Sequence, residues 1–244
     1  MAYRLYGSIV PHIIDDFGNV VGVKDANDGQ EHLFVFDGEP ANSIQFDTTP
    51  DTTVPLSVGE LRWNTVDSTL DLALENGVTL QIGQEQNKKF RNNTANDIAN
   101  GKAVYITGST GTFATMELAQ ANGEVGSSVV IGMTTQDVPK NTEGYVTTFG
   151  LVRDLDTSML TEGAAVWLSP TTPGGVTSTK PSAPQHLVLI GYCIRSHVNQ
   201  GSIFVKVQNG YELEELHNVK ITSPTDGQVL KYQASTGLWI NANP

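Results

Sequence analysis

The sequence is poor in the features that mark exported, membrane-spanning or disulfide-linked proteins. It has a single cysteine, Cys193, so no disulfide can form within the chain. No apolar run approaches the roughly 20 residues that a membrane helix needs, and residues 1–30 carry no hydrophobic segment of a secretory signal. We therefore expect no membrane partner, and we expect the chain to be made in a cytoplasm.

Basic residues are also scarce. The chain has 14 Lys and Arg residues against 26 Asp and Glu residues, which gives a formal net charge of −12. The basic residues form no long run along the sequence, and the excess of negative charge repels phosphate backbones. We therefore expect no nucleic-acid partner.

What the sequence does contain is a succession of short apolar segments separated by turn-forming residues. Between residues 94 and 210 these segments alternate apolar with polar positions and are bounded by Gly, Asn, Asp, Ser, Thr and Pro, which is typical of strands. We predict an all-β fold in which this segment forms a small β-barrel or sandwich with almost no helix. The predicted core residues are Val104, Ile106, Val130, Val146, Phe149, Val166, Leu168, Leu189, Ile203 and Val205.

Two hairpins with the same pattern flank this central domain. Residues 61–72 and 230–240 each read Leu, a basic residue, an aromatic residue, a polar turn and then apolar positions. Because a lone hairpin is marginal in water, we expect each to pack on a neighbouring element or subunit. The predicted organisation is an extended N-terminal arm (1–58), a β-hairpin region (59–93), the central β domain (94–210) and a C-terminal segment with a β-hairpin (211–244).

Helix signals are weak and short. Residues 94–101 offer one turn that an Asn-Gly pair ends, and residues 116–122 fit either a short helix or a strand end. Residues 211–218 carry Leu213 and Leu216 with acidic residues in the first turn. Segments of this length are marginal as helices in water, so none of them changes the all-β prediction.

No pattern of residues for catalysis, a cofactor or a metal stands out. The five histidines, at positions 12, 32, 186, 197 and 217, lack the spacing of metal ligands. Cys193 lies in an apolar segment, which favours a packed thiol over a nucleophile. Glu212, Glu214 and Glu215 form an acidic cluster, which favours a solvated face over paired catalytic carboxylates. We expect no catalytic, cofactor-binding or metal-binding residues, and we expect that the protein is not an enzyme.

Apolar residues outside the central domain indicate where partners bind. The three tryptophans, Trp63, Trp167 and Trp239, are each predicted in a strand, and the first and last lie in the two matching hairpins. The N-terminal arm is punctuated by prolines, yet it carries apolar side chains that an extended segment cannot bury by itself. The predicted interface residues are Ile9, Ile13, Ile14, Phe34, Phe36, Trp63 and Trp239.

Several of these strings resemble a β domain of tailed-bacteriophage virion proteins. The resemblance covers roughly residues 59–240, and its strings are those at 101–108 (GKAVYITG), 131–137 (IGMTTQD), 144–153 (GYVTTFGLVR), 161–170 (TEGAAVWLSP) and 201–210 (GSIFVKVQNG). The C-terminal hairpin at 226–240 is similar to short hairpins of phage fibre chains. Residues 1–58 do not contribute to the resemblance.

The resemblance implies a structural role in the virion, and three functions stay open. The first is a capsid decoration (cement) protein, a homotrimer that binds the major capsid protein on the outer head surface and is made in the host bacterial cytoplasm. The second is a tail-fibre or baseplate protein for attachment or recognition of a host glycan. The third is a virion-associated glycan hydrolase, for which the sequence shows no acidic cleft.

Overall fold

The computed structural model describes residues 12–14, 20–24, 31–33 and 46–244, and the chain divides into two compact units, Met1–Thr48 and Thr49–Pro244. The first unit holds an antiparallel sheet in the order β1-β2-β3, formed by His12–Ile14, Val20–Lys24 and Glu31–Leu33. Ile13 and Ile14 lie in β1, whereas Ile9, Phe34 and Phe36 fall outside the described residues. The role predicted for these five residues in an interface stays a prediction.

The second unit is built from strands joined by turns. Its first strands are β4 (Leu61–Asn64), β5 (Thr69–Ala73), β6 (Thr79–Ile82), β7 (Gln86–Asn92), β8 (Ala103–Thr110), β9 (Phe113–Leu118), β10 (Val130–Thr134) and β11 (Glu143–Leu155). The strands that follow are β12 (Ala165–Leu168), β13 (Val176–Thr177), β14 (Val188–Arg195), β15 (Gly201–Asn209), β16 (Val219–Lys220), β17 (Val229–Gln233) and β18 (Leu238–Ala242). The prediction of an all-β fold is therefore confirmed, with 45% strand and 3% helix.

A closed five-stranded barrel lies at the centre of this unit. The nine-stranded sheet runs β10-β8-β9-β7-β11-β15-β14-β12-β13, and β10 also pairs with β11, which closes β7 to β11 into a barrel. Strands β7 and β9 are parallel, and the other pairs of the barrel are antiparallel. Of the two alternatives predicted for the central domain, the structure has the barrel, extended by four further strands.

The unit has two hydrophobic cores because the sheet continues beyond the barrel. The first core fills the barrel with the side chains of Phe90, Ile98, Val104, Met116, Val138 and Val146. The second core is enclosed between β10, the far end of β11 and the added strands, and it contains Val130, Met133, Val152, Leu155, Val166, Leu168, Val188, Ile190, Cys193, Ile203 and Val205. Strand β11 contributes to both cores because its 13 residues span them.

Most of the predicted core residues are buried, but Ile106 and Phe149 are exposed. Ile106 lies where β8 leaves the core, because every residue of that strand after Tyr105 is exposed. The pairing of β8 with β9 shifts register just after Ile106, and the end of that hairpin is exposed. The pairing of β11 with β7 shifts between Thr147 and Phe149. Phe149 is 39% exposed, and its ring packs edge-on against Phe204 with centroids 5.1 Å apart.

The three short segments with helix signals do not form α-helices. Met116 lies within β9, and residues 94–101 form bends and turns. In the third segment only Leu213–Glu215 is helical, as a single 3-10 turn with a capping box between Glu212 and Glu215. Within the part of the chain that the structure describes, no helix is long and apolar enough to cross a membrane.

The two matching hairpins fold in the same way, as β4–β5 and β17–β18. Each has a four-residue turn, and the second cross-strand pair from the turn contains an aromatic residue: Trp63 opposite Leu70 and Tyr232 opposite Trp239. The last turn residue has positive φ in both hairpins. It is Gly237 in the second, with φ of 72°, and Ser68 in the first, with φ of 52°.

This difference predicts a stabilising substitution. Ser68 is exposed, and its positive φ is unfavourable for a residue that has a Cβ atom. Glycine adopts this backbone conformation freely. We expect Ser68→Gly to raise the free energy of unfolding by about 1 kcal/mol, measured by urea unfolding. The matched control, Gly237→Ser, should lower the stability of the second hairpin, measured by amide exchange. A loss of stability in Ser68→Gly would contradict this account.

Candidate interaction surfaces

The sheet formed by β4, β5 and β6 is anchored to the barrel by polar contacts. Gln81 of β6 is buried, and its amide donates to Asp67 Oδ2 while its side-chain oxygen accepts a hydrogen bond of 2.7 Å from Arg153 Nη2. Arg153 Nη1 lies 2.6 Å from Oε1 of Glu85, whose side chain is 2% exposed. This network ties one flanking sheet to β11 of the barrel.

A second ion pair adds to this anchorage. Lys89 of β7 donates to Glu75, which precedes β6, and this hydrogen bond raises the pKa of Lys89 above its ordinary value. Trp63 is half-buried in the anchored sheet, whereas Leu61 and Ile82 at its margins are exposed. The interface predicted at Trp63 stays a prediction, and part of that side chain is already covered within its own chain.

The C-terminal sheet, formed by β16, β18 and β17 in that order, differs sharply from the first. Within residues 211–244, all of which the structure describes, no residue is buried. Tyr232 is 53% exposed and Trp239 is 42% exposed, although their rings contact each other with centroids 5.5 Å apart. The sheet therefore has no core of its own, and a three-stranded sheet needs a packed hydrophobic face for stability.

Strand pairing assigns each side chain of this sheet to one of two faces, since residues directly opposite each other point the same way. One face, here called the aromatic face, carries Val219, Leu230, Tyr232, Trp239 and Asn241. The other, here called the lysine face, carries Lys220, Val229, Lys231, Gln233, Leu238, Ile240 and Ala242. The aromatic face is apolar apart from Asn241, whereas the lysine face mixes apolar side chains with Lys220, Lys231 and Gln233, and neither face contains a buried residue.

The segment that leads into the C-terminal sheet is held by a histidine. His186 Nδ1 lies 3.3 Å from Oε1 of Glu212 and 3.6 Å from Oε2 of Glu124. The Glu215 carboxylate accepts a hydrogen bond from the backbone N–H of Glu212. Two members of the acidic cluster predicted from the sequence thus cap a turn and contact a histidine, while Glu214 is exposed.

An open, polar groove lies on this unit. It has a volume of about 600 Å³ and is lined by Asn76, Asn100, Thr135, Gln136, Asp137, Pro139, Thr142 and Glu143. Its acidic groups already have partners, because Asp137 accepts from the backbone N–H of Asn100 and Glu143 pairs with Arg91. Among the described residues, no group of three or more His, Cys, Asp or Glu side chains is placed to hold a metal ion.

Cys193 is a fully buried member of the second core, which confirms the prediction of a packed thiol. Burial raises the pKa of this thiol above its ordinary value, and the charge of Glu162 adds to the effect. Since the thiolate is the reactive form, we expect no labelling by a thiol reagent at pH 8 in the folded protein and complete labelling in urea. Rapid labelling of the native protein would show that this strand opens.

Comparisons with known proteins identified no match to this chain. No protein-family model, no curated protein and no solved structure matches the chain. The strings that carry the predicted resemblance to phage virion proteins lie mainly in β8, β10, β11, β12 and β15. The resemblance itself stays a prediction.

Proposed function

We propose that the chain is a non-enzymatic structural protein of a tailed-phage virion. Its proposed position is the outer surface of the head, where it acts as a decoration (cement) protein that binds the major capsid protein. The observation that carries the proposal is the C-terminal sheet, which has an exposed, largely apolar aromatic face and no buried residue. A surface of this kind is typical of a protein that completes its structure in an assembly.

The proposed assembly is a homotrimer. A symmetric oligomer would cover the C-terminal sheet of every copy with equivalent contacts, since soluble homo-oligomers are generally closed and symmetric. An oligomer that touches several capsid subunits at once also gains affinity through effective concentration, even when each contact is weak. The net charge of −12 supports a position outside the head, because it disfavours contact with packaged DNA.

Copy number tests the proposed position. Quantitative mass spectrometry of purified particles should find on the order of hundreds of copies per virion for a protein that covers the symmetric head surface. Immunogold labelling of the same particles should decorate the head. A count of only a small multiple of three, with label on the tail, would overturn the head position.

One observation favours the second candidate, a tail-fibre or baseplate protein. Hairpins of the same pattern, β4–β5 and β17–β18, stand before and after the barrel in the chain. Small β modules repeated along a chain are a common way to build an extended assembly in which neighbouring modules cover one another. Binding of purified protein to host cells, abolished by prior removal of surface glycan, would support this candidate over the first.

The N-terminal arm predicted over residues 1–58 is proposed to make the attachment contact. The truncation removes residues 1–48, which form a separate compact unit. It keeps residues 49–58, because Arg62 Nη1 donates a hydrogen bond of 2.6 Å to the backbone oxygen of Val54 and so ties this segment to β4. We expect a chain of residues 49–244 to keep the strand signal of the full protein in circular dichroism and to lose binding to expanded capsids. Capsid occupancy equal to that of the full chain would show that the anchor lies elsewhere.

A further inference from the structure

We propose that the C-terminal sheet is a head-to-tail interface between copies of this chain. In this arrangement the aromatic face of each copy packs on the lysine face of the next copy, and the contacts close into a ring. The inference rests on the proposed homo-oligomer and specifies how its subunits meet. It concerns residues 219–242, which the structure describes in full.

The first argument comes from the exposure of both faces. Leu230, Tyr232 and Trp239 are at least 42% exposed on the aromatic face, and Val229 is 46% exposed on the lysine face. An isologous dimer uses the same patch on both subunits, so it would cover one of these faces and leave the other in water. A heterologous contact joins two different patches, so it covers both faces of every copy when the rotation from one copy to the next closes into a ring.

The second argument comes from chemical complementarity between the two faces. Lys220 and Lys231 form no ion pair within the described residues. The opposite face presents the rings of Tyr232 and Trp239 without any charged side chain. Ammonium groups are attracted to the faces of tryptophan and tyrosine rings. Contact between unlike faces therefore pairs the lysines with aromatic rings, whereas contact between two lysine faces brings like charges together.

The third argument comes from the contrast with the other flanking sheet. The β4–β6 sheet has Gln81 buried against Arg153 and contains buried Ala73, so its own chain already stabilises it. The C-terminal sheet repeats the hairpin pattern but has no such burial. Its missing contacts are therefore supplied by a second copy, since every copy brings both complementary faces at equal concentration.

Cross-linking through engineered cysteines tests the pairing of the faces. Val229 and Leu230 are adjacent exposed residues of β17 that point to opposite faces, and buried Cys193 gives little background. We expect full-length Val229→Cys or Leu230→Cys alone to give little covalent dimer with a short bismaleimide. Co-assembled mixtures of the two variants should give covalent dimers, and the double variant should give closed covalent oligomers. Dimers formed by Leu230→Cys alone would show like-face contact and overturn the proposal.

A substitution on the aromatic face gives an independent readout. We expect Trp239→Lys to place like charges in the contact and to weaken association at least about tenfold in sedimentation velocity. Val66→Lys, at an 87% exposed position in the turn of the matching hairpin, is the control and should leave association unchanged. Circular dichroism of both variants establishes that the barrel remains folded.

The outcomes separate this inference from the proposed function. A chain that is oligomeric, yet shows neither mixed-face cross-links nor sensitivity to Trp239→Lys, would overturn the head-to-tail interface and leave the homo-oligomer standing. A folded monomer at micromolar concentration would overturn both. Mixed-face cross-links without like-face cross-links, together with weakened association of Trp239→Lys, are the supporting result.

Discussion

Gly191→Ala is expected to destabilise the barrel-bearing unit by about 3 kcal/mol, which corresponds to a fall in Tm of roughly 6–12 °C. Gly191 is a buried residue of β14, next to a shift in its register with β15. A Cβ atom at this position would lie 1.9 Å from the backbone oxygen of Phe204. The contact is with the main chain of a paired strand, so relief requires the two strands to separate.

Gly123→Ala is the matched control for this substitution. A Cβ atom at Gly123 would meet no atom within 4 Å, and Gly123 does not have positive φ. We expect its stability to stay within about 0.5 kcal/mol of the parent protein. Thermal unfolding followed by circular dichroism measures both variants. Equal stability of Gly191→Ala and Gly123→Ala would show that β14 and β15 can separate at Gly191 without loss of stability.

Arg153→Leu is the second substitution with a large expected effect, a loss of about 3 kcal/mol. Removal of the guanidinium would leave Glu85 buried without a cation and would take a hydrogen bond from Gln81. A buried carboxylate without a partner is costly because water no longer solvates it. Urea unfolding of the full-length protein measures the change.

Two further variants identify the cause of that loss. Arg91→Leu removes the Arg91–Glu143 ion pair, in which both side chains are more than a quarter exposed, and it should cost less than about 1 kcal/mol. The double variant Arg153→Leu with Glu85→Leu removes the orphaned charge, so it should be more stable than Arg153→Leu alone. A double variant less stable than Arg153→Leu would indicate that packing, and not the charge, determines the effect.

The class of fold could be read from local pattern, but the closure of the barrel could not. Alternation of apolar residues and turn residues identified the strands of the central domain, because side chains of a strand alternate between two faces. Closure depends on β10 pairing with both β8 and β11. It also requires β7 to pair with both β9 and β11, and the paired residues Arg91 of β7 and Glu143 of β11 are 52 positions apart in the sequence. The parallel pairing of β7 with β9 is equally invisible to a local pattern.

The candidate surfaces were predicted only in part, for a related reason. The sequence identified both matching hairpins and proposed that each needs a neighbour. It could not distinguish them, since Arg153 and Glu85, which anchor the first sheet, are 68 residues apart in the chain. Their network forms only because the fold places β11 beside the segment that follows β6.

The sequence by itself determined the all-β class, the positions of most strands, the two hairpins and the burial of Cys193, because each depends on neighbouring residues along the chain. Tertiary structure decided the closure of the barrel, the division into two cores, the exposure of Ile106 and Phe149, and which flanking sheet lacks a cover. These features depend on which strands pair and in what register. A shift of one residue moves a side chain to the opposite face without any change in the sequence pattern.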